Sequence, residues 1–246
     1  MPQPRPALPV SERFADLDSA QRFPRQPQPP ILNLRLPICA TEDSGVAYST
    51  PAQDNGPKGD IMYGMVNRAI QELIISAHGQ PVWDRVRAKA GIKEIAFVAM
   101  QAYPDEVTYS LVGAICAELE APAEVVLESF GETWVAYASS QGYSTMLDFF
   151  GKDMRSLLRN LDALHTRLKT VFPHLQPPEL GCEILDDNRY RLHYRSHRPG
   201  LTHFVVGLLR GMGKRFATPV TITIEQRKED GADHDTFLID FLPVTA

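Results

Sequence analysis

The sequence predicts an α+β fold: an N-terminal helical subdomain, followed by a four-stranded antiparallel sheet with helices packed on it. Two observations carry that reading. From Asp60 to Phe172 the apolar residues recur at helical spacing, and after Pro173 the period falls to two. The 246 residues, 43% hydrophobic, are enough for one substantial core or two small ones. No apolar run reaches the roughly 18–20 residues that a bilayer crossing needs, which argues against a membrane-spanning helix. A net charge of −5, from 25 basic and 30 acidic residues, argues against a general nucleic-acid binder. Cys39, Cys116 and Cys182 are too few and too scattered for a disulfide scaffold or a CxxC-type zinc site. The composition is that of a soluble, cytoplasmic protein.

The chain divides at about residue 60. Residues 1–60 hold 11 of the 20 prolines and only Phe14, Phe23 and Tyr48 as aromatics, so they cannot bury enough apolar surface to offset their ordering entropy. They read as a disordered extension, with 61–246 as the folded domain. No basic start leads into an apolar block with a cleavage site, so the extension is not a signal peptide. Two readings of it stay open: a tether or docking arm, or a misassigned start ahead of Met62.

Met62, Met65, Val66, Ala69, Ile70, Leu73, Ile74 and Ala77 predict the first helix, with Asp60 as its cap and Gly79 and Pro81 as its stop. A second helix is expected over Val82–Ala90 and a third over Asp105–Leu119. Pro122 opens a fourth, where its missing N–H costs nothing, running toward Gly142 with a bend at Gly131. A short helical piece follows over Ser144–Phe150. Asp153–Phe172 is the longest periodic stretch and reads as one helix, ended by Pro173, Pro177 and Pro178. Strands are expected over Glu179–Leu185, Arg189–His197, Val220–Arg227 and Thr236–Leu242, with a helix from Gly200 to Phe216 between the second and third. Asp186-Asp187-Asn188 and Glu229-Asp230-Gly231 suit the turns.

His165 lies in the stripe Leu157, Leu158, Leu161, Leu164, Leu168, so its imidazole is directed at a buried region, where an unpartnered polar group is costly. It is either a core histidine satisfied by a backbone carbonyl or an axial ligand of haem iron with the leucines against the porphyrin. Tyr194, Ser196 and Arg198 are spaced two apart on a strand, each about 7 Å from the next on one face. Two hydroxyls and a guanidinium suit a pair of carboxylates; an exposed polar strand face is the plainer alternative. Tyr190 and Leu192 share that face, which therefore starts apolar and ends polar, like a pocket rim. His193 and His197 alternate with this set and are expected to face away from it. Cys182 reads as a small buried hydrophobe. The sequence has no GxGxxG after a strand, P-loop, HExxH or GxSxG.

From Met62 to about Leu242 the chain resembles the haem-nitric oxide/oxygen binding (H-NOX) domains of soluble guanylyl cyclases and of bacterial stand-alone sensors. The carriers are the start MYGMVNRAI, the segment NLDALHTRL, the double proline of QPPEL, and HYRSHRPGL with its YxSxR. The resemblance implies an α+β domain with haem b (iron protoporphyrin IX) between its helical and sheet subdomains. It places the iron ligand on His165, the haem-pressing proline on Pro178, and propionate binding on Tyr194, Ser196 and Arg198. Val66, Ile70, Trp134, Phe204 and Leu208 are expected on the distal side. Oxygen-binding relatives carry a tyrosine three residues before the glycine of the helix after YxSxR; that position here is Phe204, ahead of Gly207.

The implied activity is gas sensing without catalysis. Nitric oxide, with carbon monoxide as a second candidate, binds the ferrous haem while oxygen is excluded, and release of His165 reports to a separate partner. By the same resemblance that partner is a histidine kinase or a cyclic-di-GMP enzyme. A haem enzyme is the competing class, but it wants a distal acid–base pair that the expected apolar lining lacks. A haem-free interaction module of the same fold is a third.

Overall fold

The computed structural model describes residues 60–243; the Pro-rich extension lies outside the described residues. A three-residue strand, β1 (Ile61–Tyr63), pairs antiparallel with β2 (Ala102–Pro104), with Met62 opposite Tyr103. This two-stranded ladder was not expected. It delays the first helix, α1, to Gly64–His78, so Asp60 is not its cap. The first helical N–H groups are satisfied instead by the chain before β2: Gly64 donates to the Gln101 carbonyl at 2.8 Å and Met65 to that of Ala99 at 3.0 Å. Gly79, at φ 85°, separates α1 from α2 (Gln80–Lys89), and Pro81 opens α2 rather than only stopping α1.

The third helix, α3 (Asp105–Leu119), and the fourth, α4 (Ala123–Ala138), complete the helical subdomain. Its core joins Ile70 and Ile74 of α1, Trp83 and Val86 of α2, Leu111 and Ile115 of α3, and Phe130 and Tyr137 of α4. Full burial of each such side chain is worth about 1.5–3 kcal/mol. No break occurs at Gly131, where a bend is expected; α4 continues uninterrupted through it. The break comes at Gly142 (φ 94°), inside a π-helical turn over Ser139–Tyr143 that leads into α5 (Ser144–Phe150).

The long helix expected over Asp153–Phe172 is two: α6 (Met154–Arg159) and α7 (Leu161–Val171). Asn160 interrupts it at φ −107°, ψ 8°, its side-chain amide donating to the Phe150 carbonyl at 2.7 Å. Leucine periodicity continues across the joint, which is why sequence spacing does not reveal it.

The sheet comprises β3 (Glu179–Ile184), β4 (Arg189–Arg195), β5 (Val220–Gln226) and β6 (Asp235–Phe241), all antiparallel in the order β3-β4-β6-β5. Between β4 and β5 runs α8 (Thr202–Arg215). The second core packs Tyr190, Leu192, Phe237 and Ile239 of the sheet against Leu157, Leu158 and Leu161, and against Val206 and Leu209 of α8. Helices α4 and α8 cross at close quarters. A Cβ on Gly131 would collide with the Phe204 carbonyl oxygen, and one on Gly207 with that of Glu128. No helix among the described residues is long and apolar enough to cross a membrane.

Candidate functional site

The segment carrying His165 is fixed at its start by a reciprocal cap. The Asp153 carboxylate accepts the Ser156 N–H at 2.7 Å, and the Asp153 N–H donates to the Ser156 hydroxyl at 3.2 Å. On α7, Leu161 and Leu164 are buried and Leu168 packs on the sheet-side core. His165 follows on the same side and is half-buried. Its Nδ1 is wholly buried and has no hydrogen-bond partner. The core-histidine reading required a carbonyl there, and none is present. Leaving a buried polar atom unmatched costs about 1–3 kcal/mol. Burial lowers the imidazole pKa below its usual 6.5, opposed by Asp162 and reinforced by Lys169. The ring is therefore neutral at pH 7 and has a lone pair to give.

On β4, Tyr190, Leu192 and Tyr194 all face the core, as the alternation predicts. Burial raises the Tyr194 pKa, against the lowering effect of a hydrogen bond with Ser196. Ser196 and Arg198 lie just past the strand, where the Ser196 hydroxyl accepts the Arg198 N–H at 3.1 Å. The Arg198 guanidinium donates from Nε to Asp105 Oδ2 at 2.6 Å and from Nη2 to Asp105 Oδ1 at 3.4 Å. It also donates to the carbonyls of Gln176 and Ile61, each at 2.7 Å. Of its five N–H groups one, on Nη1, is uncommitted. The sequence suggested a guanidinium waiting for a carboxylate; the fold already provides one in Asp105. That residue reads from sequence only as an acidic helix start, and nothing local foretells a partner 93 positions away.

Val66, Ile70, Trp134 and Phe204 share the helical-subdomain core. The Phe204 ring lies 5.3 Å from that of Phe130, and Trp134 sits edge-on to Phe130 at 6.0 Å. Leu208, expected beside them, packs on the sheet-side core instead. His203, next to Phe204 in sequence, is turned elsewhere: its Nδ1 meets Glu128 Oε1 at 2.8 Å and its Nε2 faces Arg227 Nη2 at 3.3 Å. Because the guanidinium can only donate, Nε2 accepts and Nδ1 carries the proton. The Tyr137 hydroxyl, pushed up to about 12 by burial, feels Glu72 and Arg68 most among charged groups. Pro178 is half-buried, immediately before β3.

On the opposite sheet face, His193 Nδ1 meets His234 Nε2 at 2.9 Å, so His193 does face away from Tyr194. Cys182 packs against the sheet-side core, and its thiol pKa is raised to about 11 by burial. His197, Asp60 and Asp105 approach one another, but the Asp105 carboxylate is occupied by Arg198.

The donor set suits an iron porphyrin: a neutral imidazole with an unpartnered Nδ1 beside leucines, and two hydroxyls with a free guanidinium N–H at a polar rim. A family model described as haem-NO-binding matches residues 63–224. Soluble guanylate cyclase gcy-32 of Caenorhabditis elegans is 28% identical over 194 residues, which are 74% of this chain and 28% of that protein. The soluble guanylate cyclase β-2 subunit of Rattus norvegicus is 32% identical over 122 residues, 47% of this chain and 18% of its own length. The chain thus spans about a quarter or less of these curated relatives. An H-NOX protein from S. oneidensis in the Fe(II) ligation state superposes with a TM-score of 0.69 at 24% identity, covering 74% of this chain and 97% of its own. An unliganded Fe(II) H-NOX protein from K. algicida gives 0.66 at 19% identity, covering 75% and 99%.

Proposed function

From the chain's membership of the haem-NO-binding family, we propose that it is a haem-based gas sensor with His165 as the proximal ligand. The observation that carries this is the half-buried imidazole whose wholly buried Nδ1 has no hydrogen-bond partner. When bound, haem b would be held through His165 and would supply an iron able to take a diatomic gas. His165 presents the neutral imidazole. Tyr194, Ser196 and the remaining Arg198 N–H orient two carboxylates, while Asp105 fixes the guanidinium plane. Pro178, just before β3, is the contact expected to press on the macrocycle.

Val66, Ile70, Trp134 and Phe204, which share the helical-subdomain core, exclude water from the gas side. They place no hydroxyl there, and His203 is engaged with Glu128 and Arg227. A haem held here would bind nitric oxide and carbon monoxide in preference to oxygen, which would need a hydrogen-bond donor that Val66, Ile70 and Phe204 lack. Helix α7 spans only 11 residues between irregular joints at Asn160 and Phe172. Apart from His165, the helix is held by its leucines and by the Tyr63 ring at its far end, so a change in what His165 holds would give a partner two states to distinguish. The reading is of a cytoplasmic sensor, consistent with Cys116 and Cys182 as free thiols. It reports to a separate signalling protein such as a histidine kinase or a cyclic-di-GMP enzyme.

The test is the absorption spectrum of the reduced protein, in wild type and in His165→Gly. The wild type is expected to hold a five-coordinate ferrous haem that is indifferent to oxygen and shifts with nitric oxide. The variant should lose its haem unless imidazole is supplied; unchanged haem binding without imidazole would overturn the assignment. Phe204→Tyr adds a hydroxyl beside Phe130 and is expected to yield a measurable oxygen complex. If no oxygen band forms in that variant, donor placement at 204 is not what excludes oxygen.

A further inference from the structure

On the outer face of the sheet, two imidazoles meet end to end. His193 projects from β4 on the side opposite Tyr194, and His234 lies on the chain just before β6. His193 Nδ1 and His234 Nε2 stand 2.9 Å apart, with the ring centres at 5.2 Å and the planes at 48°. Behind each ring is a carboxylate. Asp233 Oδ2 accepts from His234 Nδ1 at 2.9 Å, and Glu183 Oε2 lies 3.6 Å from His193 Nε2. These carboxylates are steadied in turn: Arg191 donates to Glu183 at 2.9 Å and to Glu225 at 2.6 Å, while Arg195 approaches Asp233 at 3.7 Å. The imidazole side chains are 28% exposed at His193 and 13% at His234, so their surroundings order them yet solvent reaches them. The residue paired with His193 across β3 is Gly181, which puts no side chain over the ring from that strand.

We propose that His193 and His234 form a binding site for a divalent d-block ion of the zinc type, with solvent completing its coordination. Two imidazoles on one tetrahedral ion, roughly 2.0–2.1 Å from it, put their facing nitrogens about 3.3 Å apart and their ring centres about 5.2 Å apart. The ring centres already have that spacing. A tilt that opens the nitrogens by about 0.4 Å therefore makes room, and neither strand has to move. The proton bookkeeping also closes. A carboxylate only accepts, so His234 carries a proton on Nδ1 and, in the neutral pair, its Nε2 accepts the proton on His193 Nδ1. An ion displaces that shared proton, which His193 keeps by carrying it on Nε2 toward Glu183. An outer carboxylate behind each ring is what fixes the tautomer and orientation of a metal-bound histidine. Nitrogen donors select this class of ion over magnesium and calcium, which take oxygens. The other gathering of ligating groups, His197 with Asp60 and Asp105, has its buried carboxylate committed to Arg198. The site stands apart from the gas-sensor reading, because Tyr194 faces the other side of β4.

The test strips the full chain with a chelator and titrates it with zinc chloride against a chromophoric competitor, then with copper(II) read by electron paramagnetic resonance. A saturable zinc site is expected, and a copper spectrum coupled to two nitrogens. Asp233→Asn leaves both ligands in place and should weaken zinc by about tenfold, as loss of an outer carboxylate does. His193→Gln and His234→Gln should each weaken it by more than that and remove one nitrogen from the copper spectrum. Zinc should raise the unfolding midpoint of the wild type and leave that of both histidine variants where it was. His197→Gln is the control and should bind as wild type. No saturable site, or zinc binding unchanged in both histidine variants, overturns the proposal. Equal loss in His197→Gln overturns it in favour of the Asp60 side. The wild-type copper spectrum needs no variant to fold: coupling to fewer than two nitrogens overturns the proposal by itself.

Discussion

Arg198 leaves 9% of its side chain exposed and Asp105 only 7%, so neither charge has water to fall back on. The pair is held by two hydrogen bonds, and the guanidinium also satisfies the Ile61 and Gln176 carbonyls. Removing one partner strands the other, which costs about 3–5 kcal/mol. Arg198→Gln is expected to destabilise the fold by about that much in denaturant unfolding at neutral pH. Arg198→Gln/Asp105→Asn should recover a large part of the loss, because no buried charge remains. If the double variant is as unstable as the single one, the pair is not what holds this junction. Such residue-scale roles divide by how local they are. The inward set Tyr190, Leu192, Tyr194 is legible because a strand alternates its faces wherever it sits. Asp105 is not legible, since its role is set by a contact between the first turn of α3 and the end of β4.

At the level of elements, the same distinction separates α6 and α7 from the helix expected over Asp153–Phe172. The cap at Asp153 is local and its carboxylate is held below the usual range, first by the Ser156 N–H. A depressed carboxyl pKa stabilises the fold above the unfolded value of 3.8, and that contribution is lost as pH falls through the folded value. Asp153→Ala should cost about 1 kcal/mol at pH 7 and progressively less below pH 3.8, measured by urea unfolding across that range. A constant cost would mean that the side chain acts by packing. The joint at Asn160, by contrast, depends on the Phe150 carbonyl ten residues back, and leucine spacing runs through it unbroken. Gly131 shows the reverse error. A glycine in a helix suggests a bend, yet here it admits α8, and Gly131→Ala is expected to push the Phe204 backbone aside and destabilise by about 1–3 kcal/mol.

In the whole molecule, two cores meet along α4 and α8, and a second tie between them runs through the short strand β1. Ile61 accepts from Arg198 at the end of β4. The Tyr63 ring stands edge-on to Phe172 at 4.9 Å, and its hydroxyl accepts the His174 N–H at 3.3 Å, just past the helix that carries His165. Sequence order alone, helices then strands, made the two-part architecture legible. It could not show that three residues ahead of the first helix fasten the far end of α7, because a ladder this short has no periodicity to read. The Pro-rich composition ahead of Asp60 offers little apolar surface with which to add to either core. A chain starting at Asp60 is therefore expected to keep its haem content and its unfolding midpoint. A chain starting at Gly64 loses β1, the Ile61 acceptor and the buried Tyr63 ring together, and should be less stable by about 4 kcal/mol. It should also hold haem less well, because α7 is no longer fastened at its end. Thermal unfolding and haem absorbance of the two shortened proteins, measured side by side, check both halves. Equal stability would show that α7 needs no anchor from β1, and haem loss already at Asp60 would show that the extension contributes to the site.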